Sequence, residues 1–214
     1  MADQDDDIAK VHGDVARYYT AKIQTHGPCA RGVDWPCAPS QELRFVQLLK
    51  LCDPSQPFSL NDFGCGYGAL CGFLETRFGG VEIDYLGVDI SPEMVRQARR
   101  LWAHKHQASF AVGTTLTRVA DYSLASGVFN VKLQQPHARW IRFIKQTLSM
   151  LSASSRRGFA VNFLAHTVGD HTEIEELYRT TEGLWRVHCE RTLGLRTKVL
   201  SNYGMREFTL IACI

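Results

Sequence analysis

Phe58-Ser-Leu-Asn-Asp62-Phe-Gly64-Cys-Gly66-Tyr-Gly68-Ala-Leu70 is an apolar run that ends in an acid, breaks into three alternating glycines and resumes with residues suited to a helix. Residues without a Cβ let the backbone turn tightly and let a ligand approach it closely. A strand that ends in such a loop ahead of a helix N-terminus presents unpaired N–H groups to a polar or anionic ligand. Twenty-one residues after Gly68, a second apolar stretch, Ile83-Asp-Tyr-Leu-Gly-Val88, ends in Asp89. Together the two stretches frame a mononucleotide-binding half-fold, with the second acid placed to accept hydrogen bonds from ribose hydroxyls.

The rest of the chain agrees with this α/β frame. Upstream, Val11, Val15, Tyr18, Tyr19 and Ile23 recur at helical spacing, so an amphipathic helix is expected from Ile8 to about Gln24, preceded by a disordered acidic tail at residues 1–7. Three prolines and two glycines make 26–39 a loop, and its Trp35, His26, Arg31 and Asp34 suit a lid better than a plain connector. Ser40 is expected to cap a helix over 41–51 before Pro54 and Pro57 break the chain. Downstream, helices are expected over 69–78, from a Ser91-Pro92 start and over 138–151, and strands at 82–88, 109–112, within 122–131 and at 158–164. Strands alternating with helices imply parallel pairing through right-handed crossovers. The ending differs: 173–178 reads as helical, and 197–201 and 207–213 flank a short turn, which predicts an antiparallel hairpin. The expected organisation is a tail at 1–7, a helical cap at 8–57 and a nucleotide-fold domain at 58–214.

Composition narrows the function classes. A chain of 214 residues with 45% hydrophobic and 21% charged residues can build one ordinary core. A net charge of +2 without a dense basic run argues against nucleic acid as a partner. No apolar run reaches the ~18 residues needed to span a bilayer, and the N-terminus is acidic where a signal peptide would be basic, so a cytoplasmic protein without membrane contact is expected. Seven scattered cysteines, odd in number and without a Cys-x-x-Cys pair, fit buried reduced thiols and predict neither a disulfide framework nor a metal site.

Asp62-Phe-Gly-Cys-Gly-Tyr-Gly68 and Gly87-Val-Asp-Ile-Ser-Pro-Glu-Met94, followed by the terminal hairpin, resemble the first and second motifs and the strand order of the class I S-adenosylmethionine-dependent methyltransferases. The resemblance covers residues 40–214 and implies a Rossmann-like seven-stranded sheet: five parallel strands and a C-terminal antiparallel hairpin, with helices on both faces. It implies S-adenosylmethionine as cofactor, with Gly64, Cys65 and Gly66 beside the methionine part, Asp62 holding the amino group and Asp89 taking both ribose hydroxyls. Ile90 and Met94 would pack on adenine, and Tyr19 of the cap and Asn130 after strand four would complete the cofactor site. The family often places an acid after strand three; here Thr114 stands there. Gly64-x-Gly66-x-x-Ala69 also satisfies the dinucleotide fingerprint, and the terminal hairpin and the acid at Asp62 weigh against that reading.

Methyl transfer needs a nucleophile held in line with the methyl group, and open α/β sheets bind ligands at the carboxyl ends of their strands. Those ends supply Asn130, Lys132, His137 and His166, with Trp35 from the cap; Trp35, Asn130 and Lys132 are the candidate substrate contacts. His166 is the candidate general base because its unperturbed pKa lies near working pH, although a surface or core histidine would read the same way. No Asn/Asp-Pro-Pro-aromatic tetrapeptide follows strand four, so nucleic-acid amine methylation is not indicated. The expected acceptor is a small molecule methylated on oxygen or nitrogen. A protein substrate and a catalytically inactive cofactor-binding partner subunit stand as alternatives.

Overall fold

The glycine loop lies where the order of parallel strands reverses. The computed structural model describes residues 2–166 and 174–214, with side chains from Asp7 onward. Strand β1 (Phe58–Phe63) pairs in parallel with β2 (Ile83–Asp89) on one side and with β4 (Ala120–Ala125) on the other. β3 (Ala108–Val112) extends the sheet beyond β2, and β5 (Ser155–Ala165) extends it beyond β4. β8 (Glu207–Cys213) runs antiparallel to β5 and carries β7 (Arg196–Leu200) at the edge, while the two-residue β6 (Arg179–Thr180) pairs with the end of β5. The order is therefore β3-β2-β1-β4-β5-β8-β7. The five parallel strands and the antiparallel hairpin are those expected, and the crevice between the ends of β1 and β4 is the topological switch point.

Alternation along the strands sends side chains to two helical layers. On one face Leu60, Tyr85, Leu124, Ala160 and Ile211 pack against α2 (Ala38–Leu48), α3 (Ala69–Phe78) and α4 (Pro92–Leu101). On the other, Phe159, Val161, Phe163, Phe208 and Leu210 pack against α5 (His137–Ala153) and α6 (Glu182–Arg191). Burial of these apolar side chains on both faces is what an almost wholly parallel sheet requires. Among the described residues no helix is long and apolar enough to cross a membrane.

Four details depart from expectation. The first helix, α1 (Ala2–His26), begins at Ala2 rather than Ile8, so the acidic segment is not a tail. Asp7 ion-pairs with Arg139 and Arg142 of α5, and those ionic bonds hold its turn against the body. Helix α2 begins at Ala38 with Pro39 in its first turn, and Ser40 is not its cap; the Ser40 hydroxyl instead donates to the Cys37 carbonyl at 2.8 Å. Of the segment read as helical at 173–178, residue 173 lies outside the described residues. The remainder forms a turn, and Leu177 makes an antiparallel bridge to Val131. The helix in this region is α6, whose buried stripe is only Trp185 and Cys189, too sparse to stand out as a period. The Ser91 cap is as expected, accepting from the Met94 N–H at 3.3 Å with Pro92 in the first turn.

Candidate active site

A cavity of about 920 Å³, counting its open mouth, lies over the carboxyl ends of β1, β2 and β4. The glycine loop forms its floor. Gly66 has a φ of 55°, and a Cβ placed there would come within 2.8 Å of the Val33 side chain, so only glycine fits the turn and the space. Two carboxyl groups flank the loop. Asp62, 2% exposed, accepts from the Tyr85 hydroxyl at 2.6 Å. Burial pushes its carboxyl up to about 7; the Tyr85 hydrogen bond works against the shift and the nearby Asp89 adds to it. Asp89 is 8% exposed; its two oxygens accept from the Gly66 and Ser91 N–H groups, each at 2.8 Å. Burial raises Asp89 to about 6 against the pull of those two backbone donors. Each oxygen of Asp89 thus keeps acceptor capacity for a vicinal pair of hydroxyls.

Helix α1 crosses the cavity as a strap. Its Thr20 hydroxyl meets that of Ser91 at 2.7 Å, and Gln135 donates to its Asp14 at the other end. On this helix His12, Val15 and Tyr19 share one face by helical spacing and border the cavity. Burial lowers the His12 pKa below its usual 6.5, so the imidazole is neutral at pH 7, and its ring meets Phe143 edge-on at 5.8 Å. Burial pushes the Tyr19 phenol far up and keeps it a protonated donor. The 3₁₀ turn Ala30–Val33 and the left-handed Asp34 (φ 64°) bring Val33 and Trp35 over the floor. Asp34 is held by the Tyr18 hydroxyl and the Lys22 ammonium, both at 2.6 Å. These two bonds offset the cost of a positive φ at a residue other than glycine.

The expected cofactor residues Tyr19, Asp62, Gly64, Cys65, Gly66, Asp89, Ile90, Met94 and Thr114 all border this cavity, as does Trp35. Four expected residues do not. His166 is exposed beyond β5, its backbone N–H bonded to the Thr180 carbonyl at 2.9 Å, because the last residues of β5 run past the rim beside β6. Lys132 turns its ammonium to the Leu133 carbonyl at 3.4 Å, and the backbone of Lys132 and Leu133 is tied to Glu176. Asn130 is buried behind the wall, its carboxamide without a hydrogen-bond partner among the described residues and its backbone joined to Gly127 and Tyr178. His137 is exposed and stands beside Tyr178.

Wall residues that sequence reasoning did not assign include His12, Val15, Val33, Gln41, Phe45 and Phe143, and Ser126, Gly127 and Val128 of the segment after β4 line the cavity as well. A signal for His12 was present: it stands three and seven residues before Val15 and Tyr19, on the same helical face. The floor fits an adenosyl cation with an amino-acid tail. A glycine cradle that a Cβ would fill, two buried carboxyl groups and the buried hydroxyl of Ser126, unpartnered among the described residues, are the donor and acceptor set such a group needs.

A family model described as a methyltransferase domain matches residues 61–154. The protein named "Putative methyltransferase Rv1506c" from Mycobacterium tuberculosis is 39% identical over 163 residues, 76% of this chain and 97% of that protein. Among solved structures, a SAM-dependent methyltransferase from Aquifex aeolicus superposes with a TM-score of 0.59 at 17% identity, covering 91% of this chain and 98% of that one. Magnesium protoporphyrin IX methyltransferase from Synechocystis, solved with bound SAM, gives a TM-score of 0.56 at 19% identity over 82% of this chain and 78% of its own. With the floor, strand order and curated relative in agreement, the chain belongs to the class I S-adenosylmethionine-dependent methyltransferases.

Proposed function

We propose that this enzyme methylates a neutral small molecule on oxygen or nitrogen, within the cavity roofed by α1, Trp35 and α2. The observation that carries the reading is the roof itself. Tyr19, Val33, Trp35, Phe45 and Phe143 give the chamber aromatic and aliphatic walls, as a closed small-molecule pocket has. Among the described lining residues the charged side chains are Asp62 and Asp89, and no lysine or arginine is present to meet an anionic acceptor.

In this reading Asp89 holds the ribose hydroxyls, Asp62 the amino group, and Gly64 and Gly66 let the backbone approach the methionyl part. Ile90, Met94 and Thr114 border the adenine. When bound, S-adenosylmethionine supplies a methyl group on a positively charged sulfur, open to in-line displacement by a nucleophile. The two buried carboxylates offset the charge of that ligand, and the apolar roof excludes water from the chamber. His12, neutral by burial, is the group placed to take the proton that the acceptor's O–H or N–H gives up as the new bond to carbon forms. Tyr19 and Gln41 supply further polar groups at the wall for orienting the acceptor.

The test is incubation of the purified protein with S-adenosylmethionine and a panel of neutral phenols, alcohols and amines, followed by mass spectrometry. The expected result is S-adenosylhomocysteine together with a product heavier by one methylene. Label transferred to protein instead would favour a peptide substrate, and cofactor binding without turnover on any acceptor would favour a cofactor-binding partner subunit. Either outcome overturns the small-molecule reading.

A further inference from the structure

A buried polar chain runs from the C-terminal strand to the loop after β4, and none of the reacting groups explains it. Arg44 of α2 and Glu207 of β8 are 4% and 4% exposed and form a two-pronged ion pair, with Arg44 Nε at 2.7 and 3.0 Å from the two carboxylate oxygens and an Nη2 contact to Oε1. Glu207 also accepts from the Asn162 amide of β5 at 3.0 Å. The oxygen of the same Asn162 amide accepts from the Gly127 N–H at 2.7 Å. The Arg44 guanidinium lies 3.6 Å from the centre of the Trp35 ring, and a Cβ on Gly127 would come within 2.4 Å of that ring. Gly127, at a φ of 76°, is therefore gripped on one side by a hydrogen bond and on the other by an indole. Both grips are anchored on the same carboxylate.

Two charges withdrawn from water are a poor source of stability, and apolar residues of similar size often replace such a pair without loss. The directional features here are the ones an apolar core could not supply: the fixed orientation of the Asn162 amide, which sets the Gly127 N–H, and the planar stack that sets Trp35. We propose that Arg44, Glu207 and Asn162 are positioning residues for methyl transfer, holding the post-β4 loop and the Trp35 lid in register around the methionyl end of the cofactor. The inference rests on the cofactor orientation proposed above, in which Asp89 takes the ribose and Gly64 lies against the methionyl part; the post-β4 loop stands beside Gly64, where an added Cβ would come within 2.5 Å of the Val128 side chain. Through this chain the terminal hairpin, remote from the glycine loop in sequence, shapes the reacting end of the cavity.

The test separates the two halves of the cofactor. S-adenosylhomocysteine and 5′-methylthioadenosine, which lacks the amino-acid tail, are titrated calorimetrically into wild type, Asn162→Ala, the paired variant Arg44→Met/Glu207→Met, and Asp89→Ala. The paired variant strands no charge and guards against a simple failure to fold. In both network variants S-adenosylhomocysteine affinity is expected to fall about tenfold while methylthioadenosine affinity changes less than about twofold. Equal losses for both ligands would mean general destabilisation, and unchanged affinity for both would mean no positioning role; either result overturns the proposal. Asp89→Ala serves as the control on orientation. If it leaves methylthioadenosine binding intact, the cofactor reading fails rather than the network, whereas a loss there with no split in the network variants refutes the network alone.

Discussion

Cofactor binding should weaken steeply on acidification, because the floor of the cavity carries two carboxyl groups with raised pKa values. Burial sets Asp62 at about 7 and Asp89 at about 6 before a ligand arrives. In the proposed orientation the cationic tail requires Asp62 ionised, and the ribose hydroxyls require Asp89 as a full acceptor. If only the doubly ionised form binds, affinity between about pH 7.5 and about pH 5.5 falls roughly 100-fold, about 25-fold from Asp62 and about fourfold from Asp89. Calorimetric titration of S-adenosylhomocysteine across that range reads the fall directly. Repeating it near pH 6 in two buffers of different ionisation enthalpy should show between about one and two protons released per ligand bound. Asp62→Asn should bind more weakly at neutral pH and keep only the shallow, roughly fourfold dependence due to Asp89. A flat affinity profile in wild type with no proton release would refute the assignment of these carboxyl groups to the cofactor.

Further outcomes follow from the same geometry. Free of ligand, the protein should lose stability as pH rises from about 4 to about 7: folded Asp62 holds its proton more tightly than the unfolded chain does, so its contribution is fully present below the unfolded pKa and is lost through the folded one. Asp62→Asn should therefore raise the apo melting temperature at pH 8; an unchanged or lower value would contradict the buried-carboxyl account. Gly66→Ala places a Cβ within 2.8 Å of Val33 at a φ of 55°, and should weaken S-adenosylhomocysteine at least about tenfold by calorimetry. Wild-type affinity would show that the loop relaxes freely. His12→Ala should lower turnover on an accepted substrate by at least about tenfold and, with cofactor kept saturating at every pH, remove the acidic limb of the turnover profile, with cofactor affinity kept within about twofold. Wild-type turnover in that variant would remove His12 from proton transfer.

The parallel part of the fold was legible because local chemistry and tertiary role coincide there. Asp62 to Gly68 and the Ser91-Pro92 start carry their conformations in residue type, so loop, cap and flanking strands emerge from short windows. Asp89 was readable by its place at a strand end. The roof was harder to read. His12 lies on the face predicted for α1, but its role depends on where that helix docks, which the Thr20–Ser91 contact and the ion pairs of Asp7 decide. His166 was a reasonable candidate by residue type and strand position, yet β5 runs past the rim and leaves it outside. Asn130 shows the complementary error: the right loop, with the side chain turned into the wall and Gly127 presented to the cavity instead. The Arg44–Glu207–Asn162 chain joins residues separated by 163 and 45 positions, and no window of sequence displays such a pairing.

We propose that the cavity between β1, β2 and β4 holds S-adenosylmethionine with its ribose on Asp89. Calorimetric titration of S-adenosylhomocysteine into wild type and Asp89→Ala tests it most directly. One site per chain is expected, with a dissociation constant on the order of micromolar in wild type, weakened at least about thirtyfold in the variant through loss of charge-assisted hydrogen bonds. No saturable binding in wild type, or equal affinity in the two proteins, would contradict it.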